Sequence, residues 1–285
     1  MVTGLAHLPV QALIGHGFLR IRQHGCSIQK ESSLVNKVNS PRIDSRAPQV
    51  DGSPLFNKLL LGLPNHESRA IFPHLEFERL RLSDLLNEIG QPIKYAYFMN
   101  SGLASILTVM ADGKSVEVGL TGKEGFVGIP LLAGFSSSPT RVIIQIEGSA
   151  FRMRAARLIE LLRTCPKFER RLQQFSQVVT LQASQVAACN RLHEVDERLA
   201  RWLLMSQDRI GSKLVPLTQE FLAHMLGTRR SSVTVAAGVL QKAGLITYAR
   251  GRVSIVNREG LEDATCECYR ALVDTASRWD KELAK

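Results

Sequence analysis

Between residues 216 and 256 the chain spaces small, flexible and branched residues in a way that few folds can use. Ala223, Gly227 and Val233 stand in the pattern A-x3-G-x5-V, between two stretches whose apolar residues recur at helical intervals. A small side chain at Ala223 lets a second helix approach the first. Gly227 permits the positive φ of a tight turn, and Val233 fills the angle between the two helices. The first helix is expected to begin at 216–220, with Thr218 as its cap, and to turn Phe221, Leu222, Met225 and Leu226 inward. The second is expected to bury Val233, Ala236, Val239 and Leu240 and to close at Gly244. Two strands over 245–248 and 252–256, joined at Ala249-Arg250-Gly251, complete a winged helix-turn-helix.

The chemistry of this segment suits an anionic partner. Thr228, Arg229, Arg230, Ser231 and Ser232 place short hydroxyls and two guanidiniums at a helix N-terminus, where backbone N–H groups favour phosphate. Arg can grip guanine O6 and N7 with two bonds, and the short side chains of Ser231, Thr234, Val235 and Gly238 let the helix sit deep in a major groove. Residues 211–260 hold seven Lys/Arg (Lys213, Arg229, Arg230, Lys242, Arg250, Arg252, Arg258) against Glu220 and Glu259. Any one of these cations is explained by a solvated surface. Their concentration at the helix start and on the wing, Arg250 and Arg252 included, points instead to double-stranded DNA. The whole chain agrees, with a net charge of +10 and a pI near 9.7.

Upstream the pattern is different. Short apolar runs at 76–82, 95–99, 104–110, 115–120 and 141–145 are separated by turn residues, with Asp112-Gly113 as a hairpin signal. The uncharged run 95–111 is interrupted at Asn100-Ser101-Gly102 and reads as two strands and a turn rather than a membrane span. A small antiparallel barrel or sandwich is therefore expected over 55–165. From residue 155 apolar residues recur at helical spacing. Leu172, Phe175, Val179, Gln182, Val186 and Cys189 step by three and four, a seam that favours pairing with a second helix and hence a homodimer over 166–190. A plain core helix is the alternative reading of that spacing. A further helix runs from about 191 to Gly211, and residues 261–285 form a helical tail. Residues 1–54, rich in Pro, Ser, Gly and Asn from 32 onward, read as a disordered arm without a secretory signal. Five scattered cysteines give no disulfide framework and suit a reducing cytoplasm. The fold class is thus α+β, an antiparallel barrel followed by a long helix and a winged helix-turn-helix over 191–260.

With these residues in view, the chain resembles the Crp/Fnr family of bacterial transcription regulators. The resemblance rests on Leu217-Thr218-Gln219-Glu220-Phe221-Leu222-Ala223-His224-Met225-Leu226-Gly227, on Arg229-Arg230-Ser231-Ser232-Val233, and on Leu240-Gln241-Lys242-Ala243-Gly244-Leu245-Ile246. Upstream, residues 196–203 and 97–102 resemble the first helix of that family's DNA-binding domain and a strand and turn of its cyclic-nucleotide-binding-like barrel. The resemblance covers about residues 55–260. It implies a sensor barrel, a dimerisation helix, a two-fold symmetric DNA site and RNA polymerase as a further partner. It makes Arg230 the main base-reading residue, with Ser231 and Val235 replacing the acidic and basic readers of the cyclic-AMP-responsive branch.

Departures from the family pattern bear on the effector. Gly128 is followed by Ile129-Pro130 where the cyclic-AMP branch carries Gly-Glu, so the carboxylate that holds the ribose is missing. Arg141 falls near the phosphate-binding arginine after a longer loop, and Ser184 stands one place beyond the helix hydroxyl. Cyclic AMP bound in the usual way is not expected in a pocket of Gly128, Ile129, Arg141 and Ser184. An iron–sulfur cluster is not expected, since Cys26 stands alone near the N-terminus. Haem through His66, His74 or His193 is not expected either. Cys266-x-Cys268 is too close for the usual zinc pair and reads as packing, so no metal site is expected. No phosphate loop, zinc-protease helix or nucleophile elbow appears, which argues against an enzyme. A small-ligand signalling module without specific DNA reading is the alternative function, and it fits the missing Gly-Glu pair and the basic C-terminal segment less well.

Overall fold

The computed structural model describes residues 48–283, so most of the arm expected over 1–54 lies outside the described residues. The chain opens with a small hairpin, β1 (Gln49–Val50) and β2 (Ser53–Pro54), and two short helices, α1 (Lys58–Leu61) and α2 (Asn65–Ile71). Six strands follow: β3 (Glu76–Leu80), β4 (Leu85–Asn87), β5 (Tyr95–Val109), β6 (Ser115–Thr121), β7 (Phe126–Val127) and β8 (Arg141–Arg154). Helices α3 (Ala155–Thr164), α4 (Pro166–Leu192) and α5 (Val195–Ile210) lead to β9 (Leu214–Val215), α6 (Gln219–Met225) and α7 (Arg230–Lys242). The hairpin of β10 (Ile246–Ala249) and β11 (Arg252–Ile255) comes next, then α8 (Arg258–Asp263) and α9 (Cys268–Leu283).

The β-rich part is built on two long strands. The run at 95–111, expected as two strands and a turn, is instead a single 15-residue strand, β5. Its ladder to β8 shifts register on both sides of Ser101, and Gly102 adopts φ +78. At Gly102 a Cβ would lie 2.5 Å from the Ile146 carbonyl oxygen, and at Gly148 it would run into the Ser101 carbonyl. Two glycines at one level thus let β5 and β8 bend together without breaking. The bend divides the sheet into two layers. In one, β3 and β7 flank the 148–154 part of β8 and the start of β5. In the other, β4 and β6 flank the opposite halves, and every pairing is antiparallel. The result is a flattened barrel whose hydrogen-bond ladder, β3-β8-β5-β6, stays open. Its interior is apolar, with Leu80, Met99, Ala104, Val127, Val142, Ile144 and Ala150 buried together.

Pro166, which has no N–H to lose, starts the 27-residue α4. The buried carboxylate of Glu67 on α2 accepts from Lys167 N at 2.9 Å and Phe168 N at 2.7 Å. A distant acidic residue thus satisfies orphan donors at the positive end of this helix. The stripe expected to meet a second helix is spent within the chain itself. Leu172 and Phe175 enter the core formed with the barrel, and Val179 packs on its edge beside Gly119. Oriented to suit its neighbours, the Gln182 amide accepts from Leu120 N at 2.6 Å and donates to Leu120 O at 3.3 Å. Val186 and Cys189 are buried as well. Most of the stripe is therefore in contact with the barrel and the C-terminal segment of its own chain.

A larger core crosses from the barrel into the C-terminal part. Leu103, Leu107 and Leu120 of β5 and β6 join Leu199, Trp202, Leu203, Leu222, Ala223, Val233, Leu240, Val253 and Leu261 in one cluster. Trp202 and Leu203 are at most 1% exposed.

Candidate nucleic-acid interface

The helix-turn-helix forms where its spacing predicts. Thr218 caps α6, its hydroxyl accepting from Phe221 N at 3.2 Å. Ala223 is 4% exposed and Val233 is fully buried, and Gly227 turns the chain at φ +58. A Cβ at Gly227 would stand 2.9 Å from Val116 Cγ2 on β6, so the turn also abuts the barrel. Arg198 of α5 donates to the Leu226 carbonyl at the end of α6.

On α7 the inward positions are Val233, Ala236, Ala237 and Leu240. Val239, expected inward, is 47% exposed, because Leu240 takes the next inward place of the 3.6-residue period. The outward strip carries Arg230, Ser231, Thr234 and Val235. Val235 is 68% exposed and Gly238 has open space before it, so the strip is low and smooth. The Thr234 hydroxyl lies 2.8 Å from Gln219 Oε1 and 3.0 Å from the Arg230 carbonyl, linking the two helices. Arg229 offers no side-chain cap, so the first N–H groups of α7 stay free for an anion. Thr228 and Ser232 are half-buried at this end.

The wing is a two-residue hairpin. Arg250 (φ +50) and Gly251 (φ +72) are both left-handed, the conformation that matches the twist of paired strands. β9 pairs with β11, and the Tyr248 hydroxyl donates to the Leu217 carbonyl at 3.2 Å, which fixes the wing against the start of α6. Thr218, Gln219, Glu220, Arg230, Tyr248 and Gly251 line a cleft of ≈ 450 Å³ between α6, α7 and the wing. Gln219, Glu220 and Tyr248 are additions that the sequence pattern did not single out. Arg229, Arg230, Arg250 and Arg252 are all exposed, and among the described residues none forms an ion pair. Unpaired guanidiniums around one cleft are suited to phosphates and base edges.

The four residues named for an effector pocket are each engaged locally. Gly128 (φ +133) packs against Ala96, and Ile129 lies on the apolar core beside the barrel. Arg141 is engaged by Glu88, with NH2 to Oε2 at 2.8 Å, and its guanidinium holds the Glu88 carboxyl below the ordinary range. The Ser184 hydroxyl turns back onto the Thr180 carbonyl at 3.0 Å. Among the described residues no hydrogen bond or ion pair joins any two of these four.

A buried polar group lies instead where the barrel meets α5. Glu117 of β6 accepts from the Trp202 indole N–H at 2.8 Å, and the Ser105 hydroxyl sits 2.7 Å from its other oxygen. Ser105 also reaches the Gln145 side-chain oxygen. One hydroxyl proton cannot serve both acceptors, so the set is completed by a proton on Glu117 or by turning the Gln145 amide, whose nitrogen has no partner, towards Ser105. Burial pushes the carboxyl up to about 7, although Ser105, Trp202 and the charges of Arg201 and Arg209 pull the other way.

Cys266 and Cys268 pack with the buried Cys189. Together with Cys189 and His193 they also bring four potential metal-ligand atoms within 4.8 Å of one another. Cys189 lies 77 residues before Cys266 and His193 lies 75 before Cys268, on α4 and at its end, where spacing along the tail gives no hint of them.

Residues 197–264 match the family model of the Crp-like helix-turn-helix domain. Over 67% of the chain the fold is similar to that of Crp/Fnr regulators. FixK2 from Bradyrhizobium japonicum superposes with a TM-score of 0.59 at 16% identity, over 67% of this chain and 98% of that one. The c-di-GMP-responsive global regulator CLP from Xanthomonas campestris gives 0.56 at 20% identity, over 67% and 99%. A CRP-family transcriptional regulator from Thermus thermophilus gives 0.54 at 21%, over 66% and 95%. No curated protein sequence matches the chain. No helix among the described residues is long and apolar enough to cross a membrane.

Proposed function

We propose that this chain, a Crp/Fnr regulator fold with a Crp-like helix-turn-helix domain, is a sequence-specific transcription regulator that grips a two-fold symmetric DNA site as a homodimer. The observation that carries this reading is the group of four exposed, unpaired arginines at the start of α7 and on the wing. In the bound state α7 lies in the major groove. Arg230 reads guanine O6 and N7, and Val235 meets a thymine methyl. Arg229, Arg250, Arg252 and the capped start of α6 at Thr218 hold phosphates, with Thr228 and Ser232 at the N-terminus of α7. Two such helices must stand about one DNA turn apart on one face. Because one stripe of α4 is spent inside the chain, the pairing face is its exposed side, with Gln177, Thr180, Ser184, Ala187 and Ala188. Apart from Gln177 these side chains are short, and the Thr180 and Ser184 hydroxyls bond back to helix carbonyls, which leaves a smooth surface for a second α4.

The barrel acts as a sensor or a dimer-positioning module rather than a cyclic-AMP site of the usual kind. Gly128-Ile129 supplies no carboxylate for a ribose, and Glu88 already occupies Arg141. Its state reaches the recognition helices through the shared core and the short hinge at His193-Glu194. RNA polymerase is the partner through which such a regulator changes transcription.

The test is binding to DNA from the protein's own upstream region against excess unrelated duplex, across a salt series. Arg230→Ala is expected to cost about 1–3 kcal/mol on the specific site and relax the sequence read there. Arg252→Ala is expected to weaken all sequences alike and lower the salt slope by about one. If neither the upstream fragment nor a genome-wide selection yields a preferred site, sequence-specific reading is refuted.

A further inference from the structure

The cluster around the end of α4 plays no part in the DNA surface. Cys189 and His193 stand one helical turn apart at the end of α4, Cys266 precedes α9, and Cys268 opens it. The Cys189 and Cys266 sulfurs are 3.5 Å apart, and Cys268 Sγ is 3.5 Å from His193 Nδ1. Thiolate and imidazole donors at about 2.3 and about 2.0 Å from one tetrahedral ion stand roughly 3.6 Å from each other. The observed separations therefore match ligands of a single ion. An iron–sulfur cluster, whose thiolates bind different irons, needs a wider set.

Three further observations distinguish this cluster from packed thiols. The far nitrogen of His193 meets the Glu267 carboxylate at 3.2 Å, the arrangement that fixes the tautomer and orientation of a ligating imidazole. Gln185 donates a side-chain N–H to the Cys268 sulfur at 3.1 Å, as an outer group does to a bound thiolate. Finally, Arg198 and Arg201 are buried to 7% and 3% exposure beside the cluster. Among the described residues neither forms an ion pair with a carboxylate. Three thiolates around a divalent ion carry one net negative charge, which adds to the attraction that Glu194 exerts on Arg198 and Glu117 on Arg201. Apolar packing of cysteines explains neither the histidine–carboxylate pair nor the Gln185 contact.

We propose that Cys189, His193, Cys266 and Cys268 bind one zinc ion that clamps the start of α9 to the end of α4. The clamp sits beside the hinge between α4 and α5, so it fixes where the DNA-binding part begins. Neutral imidazole and three thiolates are a closed, four-coordinate set, which makes the ion structural, with no position left for a substrate.

The experiment uses the full chain, produced with zinc and purified under reducing conditions. Metal analysis is expected to find about one zinc per chain. Exchange with Co2+ alone should give the intense visible bands of a tetrahedral site and a sulfur-to-cobalt charge-transfer band. Cys268→Ser and His193→Ala should lose the metal, and Cys165→Ser, buried elsewhere, should keep it. Glu267→Gln changes only an exposed outer group, so it should fold normally and bind zinc about 10–100-fold more weakly against a competing chelator. Metal-free protein that gives no such spectrum with Co2+ overturns the proposal. So does an iron–sulfur chromophore with acid-labile sulfide, or metal retained by Cys268→Ser and lost by Cys165→Ser.

Discussion

Replacing Glu117 by glutamine tests whether a proton is held at the junction of barrel and DNA-binding part. The carboxyl is buried between β5, β6, β8 and α5, faces Ser105, Gln145 and Trp202, and feels the charges of Arg201 and Arg209. Its affinity for a proton rises from an ordinary 4.5 to about 7 on folding. The folded state therefore binds this proton more tightly than the unfolded chain. Its contribution to stability is complete below the unfolded value, declines as pH rises between the two, and is gone above the folded one. At about 1.4 kcal/mol per unit, the loss across that window is about 3 kcal/mol. Glutamine mimics the protonated acid: its oxygen accepts from Trp202 and its amide donates to Ser105. Urea unfolding of both proteins, followed by tryptophan fluorescence between about pH 5 and about pH 8, reads the difference directly. All other titrations cancel in the comparison, so the glutamine variant should gain about 3 kcal/mol relative to wild type as pH rises. A difference that stays constant across the window would refute the reasoning, since it would mean that the carboxyl does not titrate there.

Two other changes probe how the fold places the site. Gly227→Ala forces a side chain into φ +58 and towards Val116, and should cost about 1–2 kcal/mol from the backbone alone; adding Val116→Ala should relieve the contact but leave that backbone cost, as thermal unfolding of the single and double variants will read. Glu67→Gln removes a buried charge that accepts from two N–H groups at the start of α4 and should destabilise the chain by about 2 kcal/mol in urea, an effect under half of which would show that the cap is dispensable.

The winged helix-turn-helix is legible in the sequence because its constraints are local. Ala223, Gly227 and Val233 fall within eleven residues, and the Arg250-Gly251 turn sits between strands of matching pattern. The barrel's strands are legible for the same reason, as alternating runs between turn residues. The bend of β5 is not, because Gly102 looks like a turn until Gly148 is placed opposite it, a contact made by two stretches far apart in the chain. The α4 stripe is only half legible, for a different reason. A three-four spacing states that a helix face is buried but not by what, and here the chain's own barrel buries it. Glu117 and the Cys/His cluster are invisible to spacing altogether. Each is assembled from elements whose partners only the tertiary fold supplies, Trp202 in one case and residues of α4 and the C-terminal segment in the other.

The core that runs from Leu103 and Leu120 of the barrel to Trp202, Ala223 and Val233 of the helix-turn-helix part also limits how this architecture can be recombined. A different barrel grafted at the hinge would leave Trp202, Leu203 and the helix-turn-helix turn facing water or a mismatched surface. Transplantation therefore has to carry the outer faces of β5 and β6 with the helix-turn-helix part, and heating the intact chain should melt both parts in a single calorimetric transition.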